Sequence, residues 1–330
     1  MPDFLTHCLF AEDVLEVLPF SWKQRTAKNK RMLFLGAQGP DPFFYRGAGF
    51  WQNDRGYTRV ANRLHTERTD AFLEALFTWT RDDATKDADS MLAYAVGFLS
   101  HYALDTQCHP YIFAFGGFAF NTQEKSGDVV YNHLMLEATV DAILFQRKKN
   151  RSVKKEKLWT WLPFDISEPI EQFYGMVLSS LYGFKDYQVG DVARALRDMK
   201  LAQKFLYDPY GVKEKIMGGL AHAREKHVYV GKPIYPTIHE PLAMDYLNES
   251  HQPWPDPVLR NTVYTDSFLD LYDQAMIRMQ GYVRELELFF QGKREMQGLV
   301  EGFSYDTRLR WDAPENTWSV RGGGMMAGKL

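Results

Sequence analysis

Apolar residues recur at helical spacing along most of the chain, while the strict alternation that builds strands is missing. Between 89 and 109, Met91, Leu92, Ala95, Phe98, Leu99, Tyr102 and Ala103 return every three or four residues, which predicts a long, mostly buried helix closed by Pro110. A second stretch, from 130 to about 146, carries Leu134, Leu136, Ala138, Val140, Ile143 and Leu144 in the same rhythm. Segments 4–18, 66–81, 169–181, 191–207, 212–227 and 267–291 also read as helices. The Gly- and Pro-rich stretch 36–49 reads as a loop. So does 229–259, with six prolines, and loops of that length usually serve function or motion. The fold class expected is all-α, a multi-helix bundle.

A basic run at 148–157 has little apolar content and marks the expected boundary, a solvated linker or loop between a helical region at 1–147 and a second at 158–310 that packs on it. Residues 311–330, with three consecutive glycines at 322–324, are expected to be a flexible tail. Composition narrows the class further. Of 330 residues, 45% are hydrophobic and 25% charged, which excludes a disordered chain. A net charge of −3 gives no general attraction to nucleic acid or anionic lipid, so no stable nucleic-acid partner is expected and membrane contact is at most peripheral. The longest nearly apolar run, 111–120, is roughly half of a bilayer span. Residues 1–7 lack the basic and apolar regions of a secretion signal, and two cysteines are too few for a disulfide scaffold. A cytoplasmic location is expected.

The chemistry lies in how the histidines are spaced. His101, Asp105 and His109 stand at i, i+4 and i+8 and so stack along one side of a helix. His133 and Glu137 repeat the i, i+4 pattern on the next one. Two such helices side by side project imidazoles and carboxylates into the space between them, as helical bundles do to build a metal site. Any one of these histidines is readily explained as a satisfied polar residue of the core. Together, set in apolar stretches, they would cost several kcal/mol if buried without partners, and a divalent ion satisfies them all. Nitrogen and oxygen donors without thiolate suit zinc best, with manganese or iron as alternatives. The expected metal site lies between helices of the N-terminal half.

The run His101-Tyr102-Ala103-Leu104-Asp105, then His109-Pro110, then His133-x-x-x-Glu137-x-x-x-Asp141, resembles the zinc-dependent phospholipase C family, whose superfamily also holds nucleases. Thr6-His7-Cys8-Leu9 is similar to the family's first His, Gly36-Ala37-Gln38-Gly39-Pro40-Asp41 to the Gly-initiated loop that carries its first Asp, and Leu64-His65-Thr66 to the next His. The resemblance spans about residues 1–145. It implies that Asp41, His65, His101 and Asp105 hold one zinc, that Asp105 bridges to a second held with His7 and the chain's N-terminus, and that His109, His133 and Glu137 hold a third. Asp105 and His109 are four residues apart where the family has six, and Met1 lies closer to His7 than the family's amine does to its His. The implied number of Zn2+ ions is therefore two or three.

The resemblance further implies a phosphoric ester hydrolase in which clustered zinc lowers the pKa of water, Asp41 orients or deprotonates the attacking water, and the metal charge stabilises the transition state. A phosphate ester, with phospholipid as the family's case, is the expected substrate. A phosphodiesterase or phosphomonoesterase acting on a soluble metabolite or nucleotide is the alternative enzyme. A metal-stabilised binding protein without turnover is the alternative of another class. Cys8 and Cys108 are expected to be small core residues, and His222 and His227 surface residues. His239, Glu240, Glu249 and His251 are read as a plain surface loop, with a lid over the metal site as the alternative. Residues 111–120 are read as core packing, with an aromatic rim for a lipid or nucleobase as the alternative.

Overall fold

The computed structural model describes residues 4–46, 56–116, 127–213, 215–216, 234–239, 241–242, 244–259 and 261–314, with side chains of the second long helix from 132 onward. The fold is all-α. In chain order the helices are α1 (Phe4–Val14), α2 (Phe20–Lys28), α3 (Lys30–Gly36), α4 (Tyr57–Thr66), α5 (Thr69–Asp82), α6 (Ala88–Phe115), α7 (Gly127–Lys149), α8 (Glu168–Ser180), α9 (Asp191–Leu206) and α10 (Phe268–Phe290). Among the described residues the only sheet pairs β1 (Trp254–Pro255) with β2 (Val263–Tyr264), antiparallel. No helix among them is long and apolar enough to cross a membrane.

The centre of the molecule is α6. Every residue from Met91 to Phe113 is buried, as expected of a helix that is enclosed on all sides rather than on one face. α1, α2, α3, α5, α7 and α10 pack around it. Pro110 does not close this helix, which runs on to Phe115 with the proline inside it. An internal proline removes one ladder bond and costs about 3 kcal/mol. The turn beyond it is held by burial of Tyr111, Ile112 and Phe113, and the Tyr111 hydroxyl donates to the Tyr246 carbonyl at 2.9 Å. Tertiary packing outweighs the local stop signal.

Two glycines let α3 lie against α6 backbone to backbone. A Cβ on Gly36 would sit 2.1 Å from the Tyr94 carbonyl oxygen, and one on Gly97 would sit 2.2 Å from the Leu33 carbonyl oxygen. This contact brings the chain after α3 directly over the middle of α6, where His101 and Asp105 are. Gly97→Ala is therefore expected to lower stability by about 1–3 kcal/mol through overpacking, read as the midpoint of chemical unfolding. A midpoint equal to wild type would show that the crossing tolerates a methyl group.

The stretch 36–49 is not all loop: after a turn, Asp41–Tyr45 forms a 3-10 helix, while 47–49 lie outside the described residues. Of the expected helix at 212–227 only the first residues are described, and the expected tail is described only to Pro314. In the basic run, Lys149 pairs with Glu12 at 2.5 Å, and Lys148 pairs with Asp13 and reaches the Tyr272 hydroxyl at 2.9 Å.

Candidate metal centre

Five segments bring the predicted residues together. α1 delivers His7, and its first turn is tied down by Asp141 of α7, whose two carboxylate oxygens accept from the Leu5 and Thr6 amides at 2.7 and 2.9 Å. A carboxylate at a helix N-terminus satisfies orphan donors and complements the dipole. Asp141, part of the sequence pattern, thus fixes the helix that carries His7. The turn after α3 delivers Asp41. Gly39 has φ +50°, and a Cβ there would lie 2.3 Å from the His101 ring, so only glycine lets the backbone pass so close above that imidazole. His65 sits in the last turn of α4, and α6 and α7 supply the rest.

Three groups of donor atoms result, each within 4.8 Å of one another: His7, His101 and Asp105; Asp41, His65 and His101; and His109, His133 and Glu137. All eight residues are buried. Asp105 is the hub. Its Oδ1 lies 3.6 Å from His7 Nε2, and its Oδ2 lies 3.5 Å from His101 Nε2 and 3.9 Å from His109 Nδ1. His65 Nε2 is 3.3 Å from Asp41 Oδ1. The His7 and His101 rings stack with centroids 4.1 Å apart.

These separations suit a metal better than hydrogen bonds. Two donors of a tetrahedral zinc, each bonded at about 2.0–2.1 Å, lie about 3.3 Å apart, beyond the usual N–H···O distance. Both Asp105 oxygens, both His7 ring nitrogens and His101 Nε2 are buried without a hydrogen-bond partner. Such a set would be costly if left so, and a cation among them would take one nitrogen of each ring and the carboxylate and so remove most of the cost. The ring orientations are fixed from behind: His65 Nδ1 donates to the Ala61 carbonyl at 2.8 Å and His101 Nδ1 to the Ala37 carbonyl at 3.0 Å, so that Nε2 faces the centre in each, as in second-sphere support of metal ligands. The residues present fit zinc.

Burial holds the His101 imidazole well below its ordinary pKa, helped by the neighbouring His7 and His65, and does the same to His109 beside His133. Both rings are then neutral, with a lone pair to donate. Burial works the same way on His65, but the hydrogen bond and charge of Asp41 outweigh it and raise the pKa. For Glu137, burial pushes upward and the adjacent His133, 2.7 Å away, brings the carboxyl down to about 2.

Other expected residues lie elsewhere. Cys8 and Cys108 are fully buried, and burial pushes both thiols well up, so they are core residues. Glu249 forms a two-pronged pair with Arg147 at 2.9 and 3.0 Å, and the exposed His251 faces Asp270 at 3.5 Å. Both are engaged at the surface, and His239 is exposed. Glu240, His222, His227 and residues 117–120 lie outside the described residues, while Tyr111 to Phe113 are core rather than rim.

Sequence reading missed Tyr305 and Asp306. The Tyr305 amide donates to the His65 carbonyl at 2.9 Å, its ring lies edge-on to His65 with centroids 5.2 Å apart, and Asp306 Oδ1 is 3.3 Å from His109 Nδ1. They belong to an irregular segment with no periodicity to read.

No curated protein and no solved structure gave a match. A family model described as zinc-dependent phospholipase C matches residues 6–184, more than half of the chain and the stretch in which the eight predicted ligands lie. With that match and a donor set that fits zinc, the chain belongs to the zinc-dependent phospholipase C family.

Proposed function

We propose that this protein is a zinc-dependent phosphoric ester hydrolase of the phospholipase C kind. The observation that carries this reading is the meeting of three histidine–carboxylate groups, two of them sharing His101 and the third reaching Asp105 through His109 at 3.9 Å, with His7, His101 Nε2 and both Asp105 oxygens buried without a hydrogen-bond partner. His7, Asp41, His65, His101, Asp105, His109, His133 and Glu137 would hold two or three ions. Zinc, when bound, lowers the pKa of water and offsets negative charge on phosphoryl oxygens.

The chain's own residues supply position and proton transfer. Asp41, set on a short 3-10 helix rather than within a long one, orients the attacking water and takes its proton on a carboxylate oxygen. The water oxygen then bonds to phosphorus, the bond from phosphorus to the leaving oxygen breaks, and that oxygen takes a proton from solvent while Asp41 returns its own, to give an alcohol and a phosphomonoester. The carbonyls of Ala61 and Ala37 keep His65 and His101 from turning as charge moves. Preorganisation of this kind avoids reorganisation cost at the moment of reaction.

One observation favours a soluble ester over a bilayer lipid. Lys148 and Lys149, part of the basic run that would draw the protein to anionic lipid, are engaged by Asp13 and Glu12, which offsets the roughly 1 kcal/mol per cation that such a run offers at a membrane. The test is a panel of phosphate esters given to the zinc-loaded and chelator-treated protein, with anionic vesicles and a short-chain soluble phospholipid included. Zinc-dependent hydrolysis of at least one ester is expected, with the soluble compound cleaved at least as fast as vesicle lipid. Faster cleavage of vesicle lipid, with sedimentation on the vesicles, would make the bilayer the substrate. No hydrolysis of any ester by the zinc-loaded protein would favour a binding protein without turnover.

A further inference from the structure

The residues that follow α10 form a clip across the centre. Phe303 and Arg310 form an isolated antiparallel bridge, the Ser304 amide donates to the Leu309 carbonyl at 2.8 Å, and the Trp311 amide donates to the Gly302 carbonyl at 2.9 Å. The clip is fastened to the rest of the protein at several points. The Phe303 carbonyl accepts from Thr69 Oγ1 at 2.9 Å, the Phe303 amide donates to the Tyr102 hydroxyl at 2.9 Å, and Arg308 Nη1 donates to Gln107 Oε1 at 3.0 Å. Trp311 Nε1 donates to Asp70 Oδ1 at 3.1 Å. Gly302 has φ +72°, and a Cβ there would lie 2.7 Å from Asp70 Oδ2, so the close seat of the clip on α5 requires glycine.

The tip of the clip enters the centre. Tyr305 is buried and packs on both His65 and His101, with ring centroids 5.2 and 5.6 Å away. Its backbone carbonyl hydrogen-bonds the His109 ring. The next residue, Asp306, has a side chain 14% exposed, with Oδ1 3.3 Å from His109 Nδ1. That is the separation seen between Asp41 and His65, and the one expected of two donors sharing a tetrahedral zinc.

We propose that Asp306 is a further metal-binding carboxylate of this centre, delivered to His109 by a C-terminal clip that lies outside the family-matching residues 6–184. Donor chemistry supports it. His109, His133 and Glu137 offer two imidazoles and one carboxylate. Asp306 reaches His109 from outside that trio, and as a second carboxylate it would bring the donor count to four and balance the double charge of a zinc ion. A bound metal then ties the C-terminal segment to α6 and α7, linking the clip's closure to the occupancy of the site.

The proposal rests on the zinc-hydrolase reading above, and its test separates the two. The full chain is stripped of metal, and zinc affinity is measured by competition with a chromophoric chelator for wild type, Asp306→Asn and Asp306→Glu. The visible spectrum of each cobalt(II)-loaded protein is recorded alongside. Asp306→Asn is expected to hold its weakest zinc at least about tenfold less tightly and to change the cobalt spectrum, with the metal-free melting temperature unchanged. If the Asn variant melts lower without metal, Asp306→Glu decides: affinity nearer wild type supports the proposal, and affinity as low as that of Asn overturns it. Wild-type affinity and spectrum in Asp306→Asn would also overturn it. A wild-type protein that takes up neither zinc nor cobalt would overturn the reading beneath it as well.

Discussion

Asp105→Ala is expected to leave the protein short of more than one zinc equivalent, although only one side chain is lost. Its two oxygens lie 3.6 and 3.5 Å from His7 and His101, and one of them also lies 3.9 Å from His109, so each of the three donor groups has a member beside it. Removing it leaves neighbouring imidazoles without the charge that holds a cation among them, and removing one partner of a buried charged set costs more than the set contributes. The stability effect follows by linkage. A ligand present at a thousand times its Kd stabilises the folded state by about 4 kcal/mol, so loss of one tightly held ion lowers the melting temperature by on the order of 10 °C. Elemental analysis and melting with added zinc are the readouts. A loss of one equivalent or less, with an unchanged melting temperature, would remove Asp105 from the hub.

Asp41→Asn should lower kcat for phosphoric ester hydrolysis by two orders of magnitude or more, within the about 10²–10⁴ that a positioned general base contributes. A hundredfold loss corresponds to about 2.7 kcal/mol of barrier. Asp41 also faces His65 as a donor, so lost activity alone would not separate proton transfer from metal binding. Assay across a zinc titration does. If Asp41 takes the proton, the deficit persists at saturating zinc; if it only binds metal, excess zinc restores the rate. Activity equal to wild type would remove it from the mechanism. The fold should survive, because a short 3-10 helix carries this residue and the amide keeps its volume.

The helices that carry most of the centre were legible because they are long and periodic. α6 and α7 show their apolar rhythm over many turns, and i, i+4 spacing on a helix has one geometric meaning, so His101, Asp105 and His109 fall in line along one side of α6 as expected. The extent of α6 was not legible, since Pro110 is a strong local stop and only the burial of Tyr111 to Phe113 overrides it. The short helices α2, α3 and α4 escaped for the opposite reason: they are stabilised by packing on α6 and carry too few turns to show a period. His7, Asp41 and His65 were reachable only through family resemblance, because nothing in their spacing says that α1, the turn at Gly39 and α4 meet over α6. The close approach is set by Gly36, Gly39 and Gly97, residues whose contribution is an absent side chain. Asp306 lies far along the chain from Glu137, in irregular structure held by backbone hydrogen bonds that any sequence can make.

The central claim, that this fold is built around zinc, is tested most directly by elemental analysis of the protein purified without chelator, paired with its melting temperature before and after chelation. Two or three zinc ions per chain are predicted, with a melting temperature that falls when they are removed. A protein that holds no transition metal, and melts at the same temperature in chelator, would contradict it.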